Sequence, residues 1–195
     1  MVVKVEGFSE VLEIIKGLFS GLKSAAQIPA ANRKEMQDAL ADTAELVDET
    51  LTILKQHLSQ ILSELQFGDK YKAEKMIYEL ADFQGWETKY RQFQLCDTLR
   101  EAVYKLEQKG LYQYLNQASY GNLQTLQQRL WDYIGGETNA AHSVGTMLIE
   151  LAKLAPRVDS DPDAVKSQLE DARQEINTWR QKFILLEQEI RGAIK

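Results

Sequence analysis

The sequence predicts an all-α protein, an elongated helical bundle that forms a single domain over residues 1–195. Apolar residues recur at three- and four-residue steps along most of the chain, which is typical of helices that bury one face. Runs of alternating β-branched residues, which are typical of strands, do not compete with this pattern. The chain has only three prolines, and helix interiors exclude proline because it lacks a backbone donor.

The first predicted helix covers residues 9–26 and is amphipathic. Ser9 is the expected N-cap, because its hydroxyl can accept from the first free backbone N–H groups. The apolar residues of this helix lie on one face: Phe8, Val11, Leu12, Ile15, Leu18, Phe19 and Leu22. We expect residues 1–28 to pack on the bundle, with detachment from it as the alternative.

A long helix is predicted over about residues 32–67, with Asn32 as its N-cap and Gly68 as its stop signal. Its apolar residues repeat in the alternating three- and four-residue steps of a heptad seam. One row of the seam is Leu40, Val47, Leu54 and Ile61, and the other is Ala44, Leu51, Leu58 and Leu65. About four heptads are therefore sustained in this helix.

A second long helix is predicted over 162–193, opened by a carboxylate before a first-turn proline at Asp161 and Pro162. Its seam consists of Val165, Ala172, Trp179, Leu186 and Ala193, alternating with Leu169, Ile176, Phe183 and Ile190. Each long helix would span roughly 50 Å. Their matching lengths favour two helices side by side in one chain, and the alternative is that one pairs with its copy in a second chain.

Shorter helices are expected between the two long ones, in a middle block over residues 69–155 that holds most of the aromatic residues. Glycines punctuate this block and mark the breaks between helices. The predicted helices are 69–83, 86–108, 122–134 and 137–154, with a helical turn at 111–119. The aromatic content makes this block a core candidate.

Residues that could carry catalysis or bind a metal do not form a recognisable pattern. Neither His57 nor His142 follows a glutamate by three residues, which is the spacing of carboxylate metal sites in helical bundles. Cys96 lies among apolar helix residues, as an inert thiol does. We therefore expect no enzyme activity, no metal and no cofactor. The alternative is an active site assembled from scattered Glu, Tyr and Arg residues.

The formal net charge of −6 argues against nucleic acid as a partner, because phosphate backbones are bound mainly by clustered Lys and Arg. A mixture of lysines and tyrosines around Lys70, Tyr71, Lys72, Lys75 and Tyr78, and again around Lys89, Tyr90, Arg91 and Arg100, has the composition of single-strand binders. The tyrosines recur at helical spacing, however, and we expect them to pack in the core with their hydroxyls at the surface.

Charged residues interrupt the apolar stretches of the first thirty residues, so neither a signal peptide nor a membrane span is expected. The single cysteine cannot form an intramolecular disulfide and is compatible with a reducing compartment. The expected location is the cytoplasm.

Six carboxylates and no basic residue occupy positions 35–49 in the first half of the long helix. Four of them, Asp38, Asp42, Glu45 and Glu49, fall on one helical face. A solvated face favoured by the helix dipole explains this pattern. The alternative is a docking surface for a basic partner.

These observations favour a non-enzymatic interaction protein, an adaptor or assembly subunit, that acts through its long amphipathic helices. Its partner would be another protein or a second copy of the chain. The alternative is a membrane-perturbing effector whose first helix leaves the bundle and inserts its apolar face into a bilayer. In that case the residues that contact the membrane would be Phe8, Val11, Leu12, Ile15, Leu18, Phe19 and Leu22.

Overall fold

The computed structural model of the chain describes residues 7–24, 27–82, 97, 121–122, 124–126, 128–129 and 144–193. The secondary structure of these residues is helical. The elements are α1 (Phe8–Ser24), α2 (Ala30–Phe67), α3 (Lys70–Tyr78), α4 (Val144–Ala152) and α5 (Pro162–Gly192), with 3₁₀ turns at Glu79–Asp82 and Ala155–Arg157. The chain is an all-α helical bundle, as the sequence predicts.

Several predictions for the middle block fall outside the described residues. They are the helix 86–108 apart from residue 97, the turn 111–119, and the side chains of Lys89, Tyr90, Arg91, Cys96, Arg100 and His142. The described residues within 122–134 are helical. The predicted helix 137–154 is described from residue 144 onward, where it forms α4.

The two long helices α2 and α5 form the main packing unit, and they run antiparallel. Three polar contacts fix this direction: Lys55 meets Asn177, Asp48 meets Arg180, and Asp42 meets Arg191. The residue number on α5 rises as that on α2 falls. The side-by-side arrangement predicted from the two seams therefore occurs within one chain.

The seam residues of α2 and α5 are buried as their periodicity predicts, with one exception at the end of each helix. Leu65 is only partly buried and packs at the edge of the core. Ala193 is exposed, because α5 ends at Gly192 and Ala193 is its C-cap. The remaining seam residues form one continuous apolar cluster with the apolar face of α1.

Two of the predicted N-caps are wrong. α2 begins at Ala30, two residues before Asn32, because Pro29 occupies the N-cap position with extended backbone and its carbonyl accepts from the Arg33 N–H at 3.0 Å. α1 begins at Phe8, before Ser9, because the Gly7 carbonyl accepts from Glu10 and Val11. Gly7 has φ 103, a left-handed conformation that favours glycine.

The predicted start of α5 has the expected chemistry. The Asp161 carboxylate accepts from the Ala164 N–H, and Pro162 occupies the first turn of α5. Asp69 caps α3 by accepting from the Tyr71 N–H at 2.8 Å. The predicted helix 69–83 changes to a 3₁₀ turn at Glu79, so only Lys70–Tyr78 is α-helical.

α1 packs against both long helices and runs in the same direction as α5. The Phe8 ring contacts Trp179 and Phe183 at centroid distances of 5.8 and 5.9 Å. At its other end, Lys23 pairs with Glu189 at 3.3 Å. Between these two contacts, α1 and α5 leave a groove on the outer surface of the bundle.

The end of the bundle at the α2 C-terminus is closed by α3, the following 3₁₀ turn and α4. Ala73, Ile77 and Leu80 point inward and are buried. None of the described helices is long and apolar enough to cross a membrane.

Candidate interaction surface

The groove between α1 and α5 has a volume of about 450 Å³. One helical face of each helix lines it: Ser9, Leu12, Glu13 and Lys16 from α1, and Trp179, Lys182, Leu185, Leu186 and Glu189 from α5. Ten residues of rise along α5, from Trp179 to Glu189, correspond to roughly 15 Å. We name these nine residues the α1/α5 groove. Its length matches about three turns of a helix.

The floor and one edge of the groove are apolar. Leu12 and Leu186 are buried in the floor, whereas Leu185 is 65% exposed on the edge. A large apolar side chain exposed beside an apolar groove marks a protein-binding site more often than one that stands alone. This combination distinguishes the groove from an ordinary polar crevice.

Trp179 is held in one orientation at the end of the groove. Its indole Nε1–H donates to the Glu175 carboxylate at 2.9 Å, and the Phe8 ring packs against it. Because its position is fixed in the free protein, little conformational entropy is lost when a partner packs on it. Trp179 is only 9% exposed, so it is a fixed wall of the groove rather than an exposed anchor.

The charges around the groove are unequally compensated. Lys16 pairs with Glu13 at 3.5 Å, and Glu189 pairs with Lys23. The Lys182 ammonium lies over the Trp179 ring, 3.8 Å from its centroid, and no carboxylate in the described part of the chain pairs with it. Among the described residues, Lys182 is therefore the groove cation that has an aromatic ring and not a carboxylate as its neighbour.

All seven apolar residues that the membrane alternative assigns to bilayer contact are buried against the bundle, none more than 7% exposed. They form part of the apolar cluster that includes both long helices. Burial of each such side chain contributes roughly 1.5–3 kcal/mol before the entropy of ordering is subtracted. In this conformation the apolar face of α1 is not available to a membrane.

The predicted acidic face takes part in the contact between the long helices. Asp42 and Glu45 both accept from Arg191, at 2.9 and 2.7 Å. The hydrogen bond from Arg191 to Glu187, and to a lesser extent the one to Asp42, raises the pKa of Arg191 above its ordinary value. Asp38 and Glu49 are half-buried. Docking of a basic partner on this face stays a prediction, and such a partner would compete with Arg191.

Tyr71 and Tyr78 do not pack in the core, and the prediction that they would is wrong. They are 75% and 69% exposed, and Phe67 beside them is 82% exposed. The buried face of α3 is instead formed by Ala73 and Ile77, and the tyrosines lie off that face. Of the neighbouring lysines, Lys72 pairs with Glu64 and Lys75 pairs with Glu79.

Residues with metal-binding or acid–base chemistry are dispersed in the described part of the chain, where no group of three His, Cys, Asp or Glu side chains could hold a metal ion. His57 is half-buried on α2. Burial lowers its pKa below the ordinary value of 6.5, and the nearby charge of Glu79 partly opposes this effect.

The α1/α5 groove could not be recognised from the sequence, because its two walls are more than 150 residues apart. One signal was present in α5. Leu185 lies beside the seam residue Leu186, outside the three- and four-residue pattern of the helix. An apolar residue at such a position is a candidate for a surface contact.

Comparison with known proteins gives no further assignment: no family model, no curated protein and no solved structure matches the chain.

Proposed function

We propose that the protein is a non-enzymatic helical-bundle interaction protein, an adaptor or assembly subunit, which binds an amphipathic helix of a protein partner in the α1/α5 groove. The observation that carries the proposal is the exposed Leu185 on the edge of an apolar groove whose end is formed by a fixed tryptophan. Helix-in-groove recognition uses apolar anchors spaced three or four residues apart. The seams of α2 and α5 face each other, so a partner requires another surface of this kind.

Charge complementarity defines the partner helix. Lys182 is the groove cation that pairs with no carboxylate of the described residues, so the partner helix carries an Asp or Glu next to its apolar anchors. The carboxylate of the partner helix would either pair with the Lys182 ammonium above the Trp179 ring or draw this ammonium away from the ring. A cytoplasmic site of action belongs to this proposal, and the single cysteine is compatible with a reducing compartment.

A display library of helical peptides tests this proposal while the identity of the partner is still open. We expect peptides selected on the natural chain to share apolar residues at three- and four-residue spacing and a nearby carboxylate. Leu185→Lys should weaken their binding at least about tenfold, and Lys182→Glu should change the selected charge from acidic to basic. Leu185 and Lys182 are both at the surface, so these variants should fold.

Ile149→Lys is the matched control, because Ile149 is an exposed apolar residue on α4, away from the groove. Peptide affinity for this variant should stay within about twofold of the natural chain. Selected peptides that bind Leu185→Lys and the natural chain equally well would exclude the groove. Peptides that match a segment of this chain would identify a second copy as the partner.

A membrane-perturbing role is the second candidate function, and it is favoured by Gly17. A Cβ at Gly17 would have no atom within 4 Å, so close packing does not require glycine there. Glycine nevertheless weakens the helix by about 1 kcal/mol relative to alanine. Among the described residues, two ion pairs join α1 to other parts of the chain, Lys23 with Glu189 and Glu10 with Arg129; both are exposed and each is worth roughly 0–1 kcal/mol. These features favour a helix that can be released.

Dye release from anionic liposomes tests this second function. Leakage caused by the full chain, and not by a chain without residues 1–26 that is still helical by circular dichroism, would support release of α1. Intact liposomes with the full chain at neutral and acidic pH would contradict it.

A further inference from the structure

A polar pocket lies between the middle of α2 and the middle of α5, with a volume of about 490 Å³. It is lined by Lys55, Arg173, Gln174, Asn177 and Thr178. Two of these side chains are cations, and none is a carboxylate. In a chain with a net charge of −6, such a pocket is unusual.

The other polar contacts between α2 and α5 differ from the pocket, because each of them pairs a cation with a carboxylate. At two other positions along the same helix pair, an arginine of α5 meets a carboxylate of α2: Arg180 meets Asp48 at 2.9 Å, and Arg191 meets Asp42. At the pocket, the half-buried Lys55 ammonium meets the neutral Asn177 Oδ1, at 2.7 Å, and pairs with no carboxylate of the described residues. The positive charge at this position is therefore not neutralised by the opposite helix.

The other groups of the pocket supply hydrogen-bond donors. Asn177 accepts from Lys55 with its oxygen, which leaves its side-chain N–H groups as donors. Arg173 forms an ion pair with Glu170 on its own helix at 3.7 Å, and the N–H groups of its guanidinium that do not face Glu170 can turn to a ligand. Gln174 adds a side-chain amide. Cations and amides that converge on one cavity match an oxyanion.

We propose that this pocket binds the phosphate group of a small molecule, between Lys55 and Arg173. The bound phosphate supplies the negative charge that a carboxylate supplies at the two other contacts, and it accepts from the Lys55 ammonium and the Arg173 guanidinium. The volume exceeds what a phosphate group fills and lies in the range of small-molecule sites. This site is separate from the α1/α5 groove and does not depend on the function proposed for it.

The test is a calorimetric titration of the full chain with inorganic phosphate, at constant ionic strength adjusted with chloride. We expect saturable binding, together with shifts of the Asn177 and Gln174 side-chain amide signals in NMR spectra. Asn177→Asp is the decisive variant, because it places a carboxylate opposite Lys55. It should lower phosphate affinity at least about tenfold while thermal stability is kept or raised.

Arg173→Gln is the second variant and should lower the affinity by a similar factor. Lys166→Gln removes one positive charge from α5 outside the pocket, and its affinity should stay within about twofold. Equal losses in Lys166→Gln and Asn177→Asp would show a non-specific charge effect and overturn the proposal. Absence of saturable binding to the natural chain would also overturn it.

Adenosine monophosphate and adenosine distinguish the sources of the phosphate group. Tighter binding of the monophosphate than of inorganic phosphate supports a phosphate ester as the ligand, and equal affinity supports the free anion. Adenosine that binds as tightly as its monophosphate would overturn the assignment of the pocket to phosphate.

Discussion

Phe183 lies where α1 meets the pair of long helices, and its replacement tests the packing of this bundle. Its side chain is fully buried, and its ring meets Phe8 edge to face at 5.9 Å. Phe183→Ala removes the buried ring and leaves a cavity between helices, which costs about 3–5 kcal/mol. The free energy of unfolding of an ordinary domain is about 5–15 kcal/mol, so this loss would be a large fraction of the total. At roughly 2–4 °C per kcal/mol, the midpoint of thermal unfolding should fall by about 6–20 °C.

Urea unfolding followed by circular dichroism measures this loss directly. Leu185→Ala is the matched control, because Leu185 lies two residues further along α5 and is 65% exposed. It should change the free energy of unfolding by less than about 0.5 kcal/mol. A loss below about 1 kcal/mol for Phe183→Ala, or equal losses for the two variants, would refute the packing of α1 on α5 described above.

Three further predictions concern stability. Gly17→Ala should raise the free energy of unfolding by about 0.5–1 kcal/mol, because the added methyl group meets open space on an exposed helix face; a lower thermal midpoint would contradict this. Asp48→Ala should lower the free energy of unfolding by roughly 1–3 kcal/mol, because it leaves the half-buried Arg180 without its carboxylate. In a double-mutant cycle, adding Arg180→Met should recover part of this loss, and strictly additive losses would argue against the ion pair. Burial lowers the folded-state pKa of His57 below 6.5, so its contribution to stability is full above about pH 6.5 and is lost as the pH falls through the folded-state pKa. Urea titrations between about pH 7.5 and 5 should therefore show a larger decrease for the natural chain than for His57→Gln, and parallel decreases would contradict the burial of this side chain.

The long helices were predictable because heptad spacing over about four repeats is a strong local signal. Their partner was not. A seam on each helix allows pairing within the chain or with a second copy, and periodicity does not distinguish the two. The contacts of Asp48 with Arg180 and of Asp42 with Arg191 carry that information, because they fix α2 against α5 in one antiparallel register. Charge complementarity between the two sequences, read in antiparallel order, was the signal available.

The errors at helix starts have a common cause. Asn32 and Ser9 are good N-caps by residue type. Pro29 and Gly7 precede them, however, and supply the backbone carbonyls that accept from the first helical N–H groups. Backbone geometry, and not the residue type of the expected cap, therefore sets these two helix starts, which lie one and two residues before the predicted starts at residues 9 and 32. At Asp161, where carboxylate and proline act together, the predicted start was confirmed.

The surface residues were the least predictable part of the molecule. Tyr71 and Tyr78 are seven residues apart, and this spacing places them on one helical face without indicating whether that face is buried. Their exposure depends on the short buried face of α3. The α1/α5 groove likewise depends on the docking of two distant helices, which the spacing of residues along one helix does not determine.

The most direct test of the proposed interaction is site-specific photo-crosslinking in cells that naturally express the protein. A photoreactive amino acid at position 185 probes the groove, and the same amino acid at position 149 probes an exposed apolar residue on α4. We predict one protein adduct at position 185 that is absent at position 149. Adding Lys182→Glu should abolish this adduct. Mass spectrometry should map the crosslink to an amphipathic, acidic helix of the partner. The same adducts at both positions, or none at position 185, would contradict the account.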